Sequence, residues 1–163
     1  MNNIVLCGFM GAGKTVVGKE LSKIMGRKFI DTDEMIEKEQ GIAIKAIFAT
    51  HGEDYFRELE HEVCCRISTM KNCVISTGGG ALTFPRNVEV MKQGGKVVFL
   101  DASFETICER VGESSTRPLF QDREEAKKLY DERKAKYEAA ADVVVSGDMS
   151  ARKTALDLAE MFR

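Results

Sequence analysis

Eight consecutive residues, Gly8-Phe9-Met10-Gly11-Ala12-Gly13-Lys14-Thr15, fit the pattern G-x-x-x-x-G-K-[ST]. They follow an apolar run, Ile4-Val5-Leu6-Cys7, and lead into an amphipathic stretch from Val16 to Met25. A strand that stops at a glycine-rich loop before a helix aims backbone N–H groups and a helix N-terminus at one point. Lys14 can then reach the β- and γ-phosphates of a nucleotide, and the Thr15 hydroxyl can ligate Mg²⁺. The chemistry expected here is the binding of a nucleoside triphosphate.

Further polar residues fall where such a loop needs partners. Asp31-Thr32-Asp33 places two carboxylates two residues apart at the end of a short apolar run. One can serve magnesium through water and the other can face an acceptor hydroxyl, although Asp33 also suits a helix N-cap. Thr77-Gly78-Gly79-Gly80 ends another apolar run, and close approach of a ligand to bare backbone explains three successive glycines best. Arg57 precedes Glu60 by three residues, so on a helix the glutamate can hold it. Phe48 and Phe56 flank that region and could wall a small ring, although each taken alone reads as a core residue. Arg117 follows the polar stretch Gly112–Thr116, which reads as a lid able to bring the arginine onto phosphates. Arg133, in a highly charged helical pattern, reads by itself as a solvated residue. Asp101 ends Val98-Phe99-Leu100-Asp101, and starts a turn in preference to acting as a metal-binding aspartate.

The elements that would position these groups alternate along the chain. Strands are expected at Asn3–Cys7, Lys28–Ile30, Cys73–Ser76, Lys96–Leu100 and Asp142–Val145, each nearly all apolar and so expected to be covered on both faces. Helical patterns run between them and after the last. This alternation calls for a parallel sheet with helices on both sides and ligands beyond the strands' carboxyl ends. A length of 163 residues suits one domain, and a net charge of −2 gives no general attraction to nucleic acid or anionic membrane. No apolar run nears the ~18 residues of a membrane span, and no signal-peptide layout opens the chain. The five cysteines (Cys7, Cys64, Cys65, Cys73, Cys108) show no C-x-x-C spacing and are expected as buried, reduced thiols of a cytoplasmic protein. A guanine-reading N-K-x-D motif is missing, which argues against a GTPase.

Taken in order, the phosphate loop, Asp31-Thr32-Asp33, Phe56-Arg57-Glu58-Leu59-Glu60, Thr77-Gly78-Gly79-Gly80, Arg117-Pro118-Leu119, and Arg133 with Tyr137 resemble the shikimate kinase family from end to end. The resemblance implies a three-layer α/β/α P-loop kinase fold with a five-stranded parallel sheet over residues 1–163. It implies a phosphate loop at 8–15, a substrate-binding segment at about 32–60 and a mobile lid at about 111–123. The implied reaction is ATP-dependent phosphorylation of the 3-hydroxyl of shikimate, a step towards chorismate and the aromatic amino acids, in a cytoplasmic enzyme with a monomer as the default. Shikimate contacts then fall to Asp33, Arg57, Gly79 and Arg133. ATP contacts fall to Gly11, Ala12, Gly13, Lys14, Thr15, Val16, Arg110 and Arg117, with Arg110 stacking on adenine. Mg²⁺ falls to Thr15 and, through water, Asp31. Asp33, Lys14 and Arg117 would be catalytic, with Asp33 orienting the hydroxyl and standing as a candidate base. Paired arginines suit a carboxylate because each guanidinium offers a planar fork of donors.

The chain departs from the family pattern at a few places. Val16 stands where Ser or Thr is usual, removing a hydroxyl beside the α-phosphate. Ala43 and Ala46 replace a Ser and a Glu, no proline lies between Arg133 and Tyr137, and Phe120 replaces a smaller residue in the lid.

Overall fold

The apolar runs become the strands of one parallel sheet in a computed structural model, which describes residues 2–112 and 122–163. The strands are β1 (Asn3–Cys7), β2 (Lys28–Asp31), β3 (Cys73–Ser76), β4 (Gly95–Asp101) and β5 (Val143–Ser146), in the order β2-β3-β1-β4-β5. Helices α1 (Lys14–Met25), α2 (Thr32–Gln40), α3 (Ile44–His51), α4 (Glu53–Ser68), α5 (Pro85–Gly94), α6 (Phe104–Gly112), α7 (Arg123–Ala140) and α8 (Ala151–Met161), with a 3₁₀ turn at Ala81–Thr83, complete the described elements. Adjacent β1 side chains point to opposite faces, and they meet different layers. Leu6 packs towards Gly18 of α1, whereas the buried Asn3 amide donates to the carbonyl of Met70 at 3.0 Å, just after α4. Asn3 Oδ1 also accepts the Cys73 N–H at 3.0 Å, so one side chain ties β1, β3 and the end of α4 together. Parallel register sets Leu6 and Asp31 against Ser76, bringing the phosphate loop, the Asp31 turn and the glycine run to the same end of the sheet.

Coverage on both faces holds for the central strands and fails at the edges. β1 and β3 are buried throughout, but β5 alternates half-buried with exposed residues, and Val144 is 52% exposed. An outermost strand has a neighbour on one side only and is less completely roofed by helices. Apolar composition does not reveal strand order, so it gives an edge strand such as β5 the same expectation of cover as a central one. The thiol expectation also needs correction: Cys7, Cys64 and Cys73 are buried, but Cys65 and Cys108 are only half-buried.

Local capping explains where the helices begin. Asp31, not Asp33, caps α2, its Oδ1 accepting the N–H groups of Asp33 and Glu34 at 3.0 and 3.1 Å. That frees the Asp33 carboxylate for other work. Helix α3 has Ala43 at its N-cap with no side-chain acceptor there, and Glu37 of α2 reaches over to accept the Ile44 N–H at 2.9 Å. Because Glu37 reaches only one N–H, Ala43→Ser should stabilise the fold by about 0.5–1 kcal/mol. Chemical denaturation would check this, an unchanged midpoint counting against a vacant cap.

Candidate active site

The phosphate loop leaves β1 and enters α1 through backbone that suits glycine. Gly11 has φ +84°, and a Cβ there would come within 2.7 Å of the Val111 side chain. Gly13, with φ +96°, precedes the first residue of α1. Lys14 is folded back across the loop, its Nζ donating to the carbonyls of Gly8 at 2.6 Å and Phe9 at 3.2 Å. Burial pushes its pKa down to about 8, with Asp33 and Asp31 among the charges opposing the shift. The Thr15 hydroxyl donates to Asp31 Oδ2 at 3.3 Å, so Asp31 caps α2 with one oxygen and meets the loop with the other.

The other half of the site is built around the glycine run, and each glycine there admits a different side chain. A Cβ on Gly78 would lie 2.4 Å from Asp33 Oδ1, one on Gly79 would lie 3.3 Å from Arg133 Nη1, and one on Gly80 would lie 2.7 Å from Arg57 Nη2. The run therefore does more than expose backbone to a ligand: it lets three charged groups from three helices converge. Thr32, fully buried between the two aspartates, accepts the Gly78 N–H at 3.0 Å and fastens the run to α2.

Asp33 Oδ1 is buried without a hydrogen-bond partner. An orphaned carboxylate oxygen is costly unless a ligand completes it. Burial raises the Asp33 pKa to about 6, reinforced by Asp31 and opposed by Lys14. Arg57 is held as its spacing from Glu60 suggests, with Nη1 2.9 Å from Glu60 Oε1. Glu60 is 1% exposed, and burial raises its pKa against the pull of Arg57. The guanidinium also lies over the rings of Phe56 and Phe84, 5.3 and 5.0 Å from their centroids, which fixes its plane. Arg133 is half-buried, not the solvated residue its helix pattern suggests, with its guanidinium 6.0 Å from the Phe9 ring centroid. One turn on, the buried Tyr137 hydroxyl donates to the Gly79 carbonyl.

Lys14, Thr15, Val16, Asp31, Asp33, Arg57, Gly79 and Arg133 all line one cleft of about 440 Å³, with Phe48 and Phe56 forming an apolar wall, their ring centroids 4.9 Å apart. Val16, 58% exposed, also borders a second cleft of about 230 Å³ shared with Ala12, Gly13 and Arg110. Arg110 is pinned there by bonds from Nη1 to the Gly11 carbonyl at 3.1 Å and from Nη2 to the Gly147 carbonyl at 2.7 Å. Asp101 lies outside the main cleft, 3.6 Å from Lys134 Nζ, in keeping with a structural part. Arg117 and most of the lid segment lie outside the described residues. The sequence reading missed Thr32 as a clamp, Glu37 as a cap and Tyr137 as a prop for Gly79. Only Tyr137 carried a signal, its spacing of four from Arg133.

Comparison with known proteins identifies relatives of the same fold. A family model described as shikimate kinase matches residues 10–163. A shikimate kinase of Helicobacter hepaticus is 42% identical over 163 residues, covering 98% of this chain and 95% of the relative. One from Moorella thermoacetica is 48% identical over 122 residues, 75% of this chain and 70% of the relative. The solved structure of the Acinetobacter baumannii shikimate kinase in complex with shikimate superposes with a TM-score of 0.92 at 36% identity, over 99% of this chain and 93% of that one. Matched along nearly its whole length, and carrying its charged groups around one cleft, the chain belongs to the shikimate kinase family.

Proposed function

We propose that this protein transfers the γ-phosphoryl group of ATP to the 3-hydroxyl of shikimate, giving shikimate 3-phosphate and ADP on the way to the aromatic amino acids. The observation that carries the acceptor half is the buried, unpartnered Asp33 Oδ1 in the cleft that also holds Lys14, Arg57 and Arg133. Shikimate offers one carboxylate and three hydroxyls. Arg57 and Arg133 provide donors for the carboxylate, and Asp33 accepts from the hydroxyl that attacks. Gly79 gives its bare backbone to the same ring, while Phe48 and Phe56 take its apolar faces. Phosphoryl transfer through a loose transition state needs little nucleophilic push, so Asp33 acts first by orienting the hydroxyl and then by taking its proton.

On the nucleotide side, the backbone of Gly11, Ala12 and Gly13 and the N-terminus of α1 meet phosphate oxygens, and the Lys14 ammonium moves from the loop carbonyls onto them. Arg117 joins as the second cation on the transferred group. Arg110 and Val16 border the cleft that suits the nucleoside. The Thr15 hydroxyl and Asp31 carboxylate are both hard oxygen donors, which fits Mg²⁺, an ion that takes few protein ligands and completes its shell with water and phosphate. Mg²⁺ bound there would neutralise charge on the phosphates. Among the described residues no helix is long and apolar enough to cross a membrane. We place the enzyme in the cytoplasm as a monomer.

Measuring ADP release with and without shikimate, beside a panel of carboxylated polyols such as gluconate, tests the reaction. Turnover should depend on shikimate; folded protein that turns over only another acid would overturn the assignment. Lys14 adds a pH signature. Its free pKa of about 8 must rise when phosphates surround it, since negative charge favours the ammonium. Below pH 8 both states carry the proton and affinity is flat on this account. Above pH 8 the free enzyme has lost the proton and must regain it, so affinity falls by up to about tenfold per pH unit. Calorimetric titration with ADP should show proton uptake and weakening from pH 8 to 9.5, and a flat profile would contradict the reading.

A further inference from the structure

Away from the kinase cleft, α4 and α5 bring together a thiol, an imidazole and an amide that the transfer reaction does not use. Cys65 and His61 lie one turn apart on α4, with Cys65 Sγ 3.5 Å from His61 Nε2. The other ring nitrogen, Nδ1, is 2.8 Å from Oδ1 of Asn87 on α5. Asn87 is 1% exposed, and its Nδ2 donates to the Ala81 carbonyl at 2.9 Å, which turns Oδ1 towards the histidine. An amide oxygen only accepts, so the neutral imidazole must carry its proton on Nδ1. Nε2 is left with a lone pair facing the thiol. A nucleophile within reach of a base, with the base oriented by a third group, is the arrangement that activates cysteine nucleophiles. Cys65 is half-buried, whereas Cys7, Cys64 and Cys73 are buried.

We propose that Cys65, His61 and Asn87 form a thiol–disulfide exchange site that accepts small, low-molecular-weight disulfides. The Cys65 S–H proton passes to His61 Nε2, and the thiolate attacks one sulfur of the incoming disulfide R–S–S–R. A bond from Sγ to that sulfur forms as the S–S bond breaks, and the departing R–S⁻ takes the proton back from the imidazolium. The net exchange turns Cys65–SH and R–S–S–R into Cys65–S–S–R and R–SH, with no other oxidant required. The adduct occupies the space beside His61 and disturbs its bond to Asn87. Asn87 in turn holds Ala81, whose N–H donates to the Gly78 carbonyl at 3.1 Å. Modification at Cys65 is thereby linked to the glycine run against which Asp33, Arg57 and Arg133 pack.

The half-buried Cys108, on α6, supplies an internal control, with no histidine hydrogen-bonded to it among the described residues. Native protein is treated at neutral pH with dithionitrobenzoate or oxidised glutathione, and the modified cysteine is located by peptide mass spectrometry. Cys65 should react about tenfold faster than Cys108, and His61→Gln should remove most of that advantage. Equal rates at the two cysteines would overturn the proposal, and so would a His61→Gln protein that reacts as fast as the wild type. The comparison within wild-type protein stands even if the variant folds poorly. In a second arm, modified protein should show a raised KM for shikimate with KM for ATP unchanged, reversed by dithiothreitol and missing in Cys65→Ser. An unmoved shikimate KM would overturn the link to the glycine run. This arm rests on the acceptor assignment above, whereas the exchange rates do not, so the two can fail separately.

Discussion

Asp33→Asn is expected to lose about 10²–10⁴-fold in kcat, the range for removing a group that handles the reacting proton, while making the protein harder to unfold. The two effects share a cause. In the folded chain the Asp33 carboxyl titrates at about 6, against a reference of 3.8, chiefly because burial disfavours its charge. Below pH 3.8 folded and unfolded chains are both protonated there and nothing is lost. Between the two values only the unfolded chain ionises, and above pH 6 the native state bears the full penalty. A shift of that size corresponds to about 3 kcal/mol at most, and partial exposure brings it to about 1–2 kcal/mol. Asn removes the penalty, so the variant's gain in thermal stability should be present at pH 7.5 and gone by pH 4. Equal gains at both pH values would point to packing as the cause. The wild-type enzyme should also show an acid limb near pH 6 in kcat/KM for shikimate, since the proposed role requires Asp33 to be ionised.

The second large effect belongs to Arg57. Arg57→Ala should cost about 10²–10³-fold in kcat/KM for shikimate, the loss of a charge-assisted fork on a carboxylate, and leave ADP affinity nearly unchanged. It should also destabilise the fold by up to about 3–5 kcal/mol, because Glu60 would remain buried without its cation. Arg57→Lys separates these effects. The lysine ammonium can still answer Glu60, but it lacks the planar fork that Phe56 and Phe84 hold in place. Stability should recover largely and shikimate use should not. Equal losses for shikimate and nucleotide would remove Arg57 from the acceptor side.

These side chains also show how far the sequence could be read. The loop, the paired aspartates and the Arg57–Glu60 spacing were legible because their geometry is local, set by one turn or one helix. The glycine run was legible as an anomaly but not in its full use. Which side chain meets which glycine depends on α2, α4 and α7 arriving at the end of β3 together. The helix pattern alone left Arg133 looking solvated for the same reason, and only the family resemblance pointed to it; Tyr137 and Gly79 lie beneath it in the fold. Glu37 reaching the start of α3 could not be read at all, since the contact depends on the angle between two short helices. The exposure of β5 required the strand order, which composition does not carry.

Lys14 has one more implication. Its ammonium donates to the carbonyls of Gly8 and Phe9, two oxygens that can stand in for those of a phosphate. Nucleotide must compete with them on arrival, and they recapture the cation on departure. Below pH 8, where Lys14 keeps its proton, the cation has an oxygen partner on either side of the exchange. Competition from those two carbonyls is expected to cost nucleotide some affinity and to ease the departure of ADP after each round.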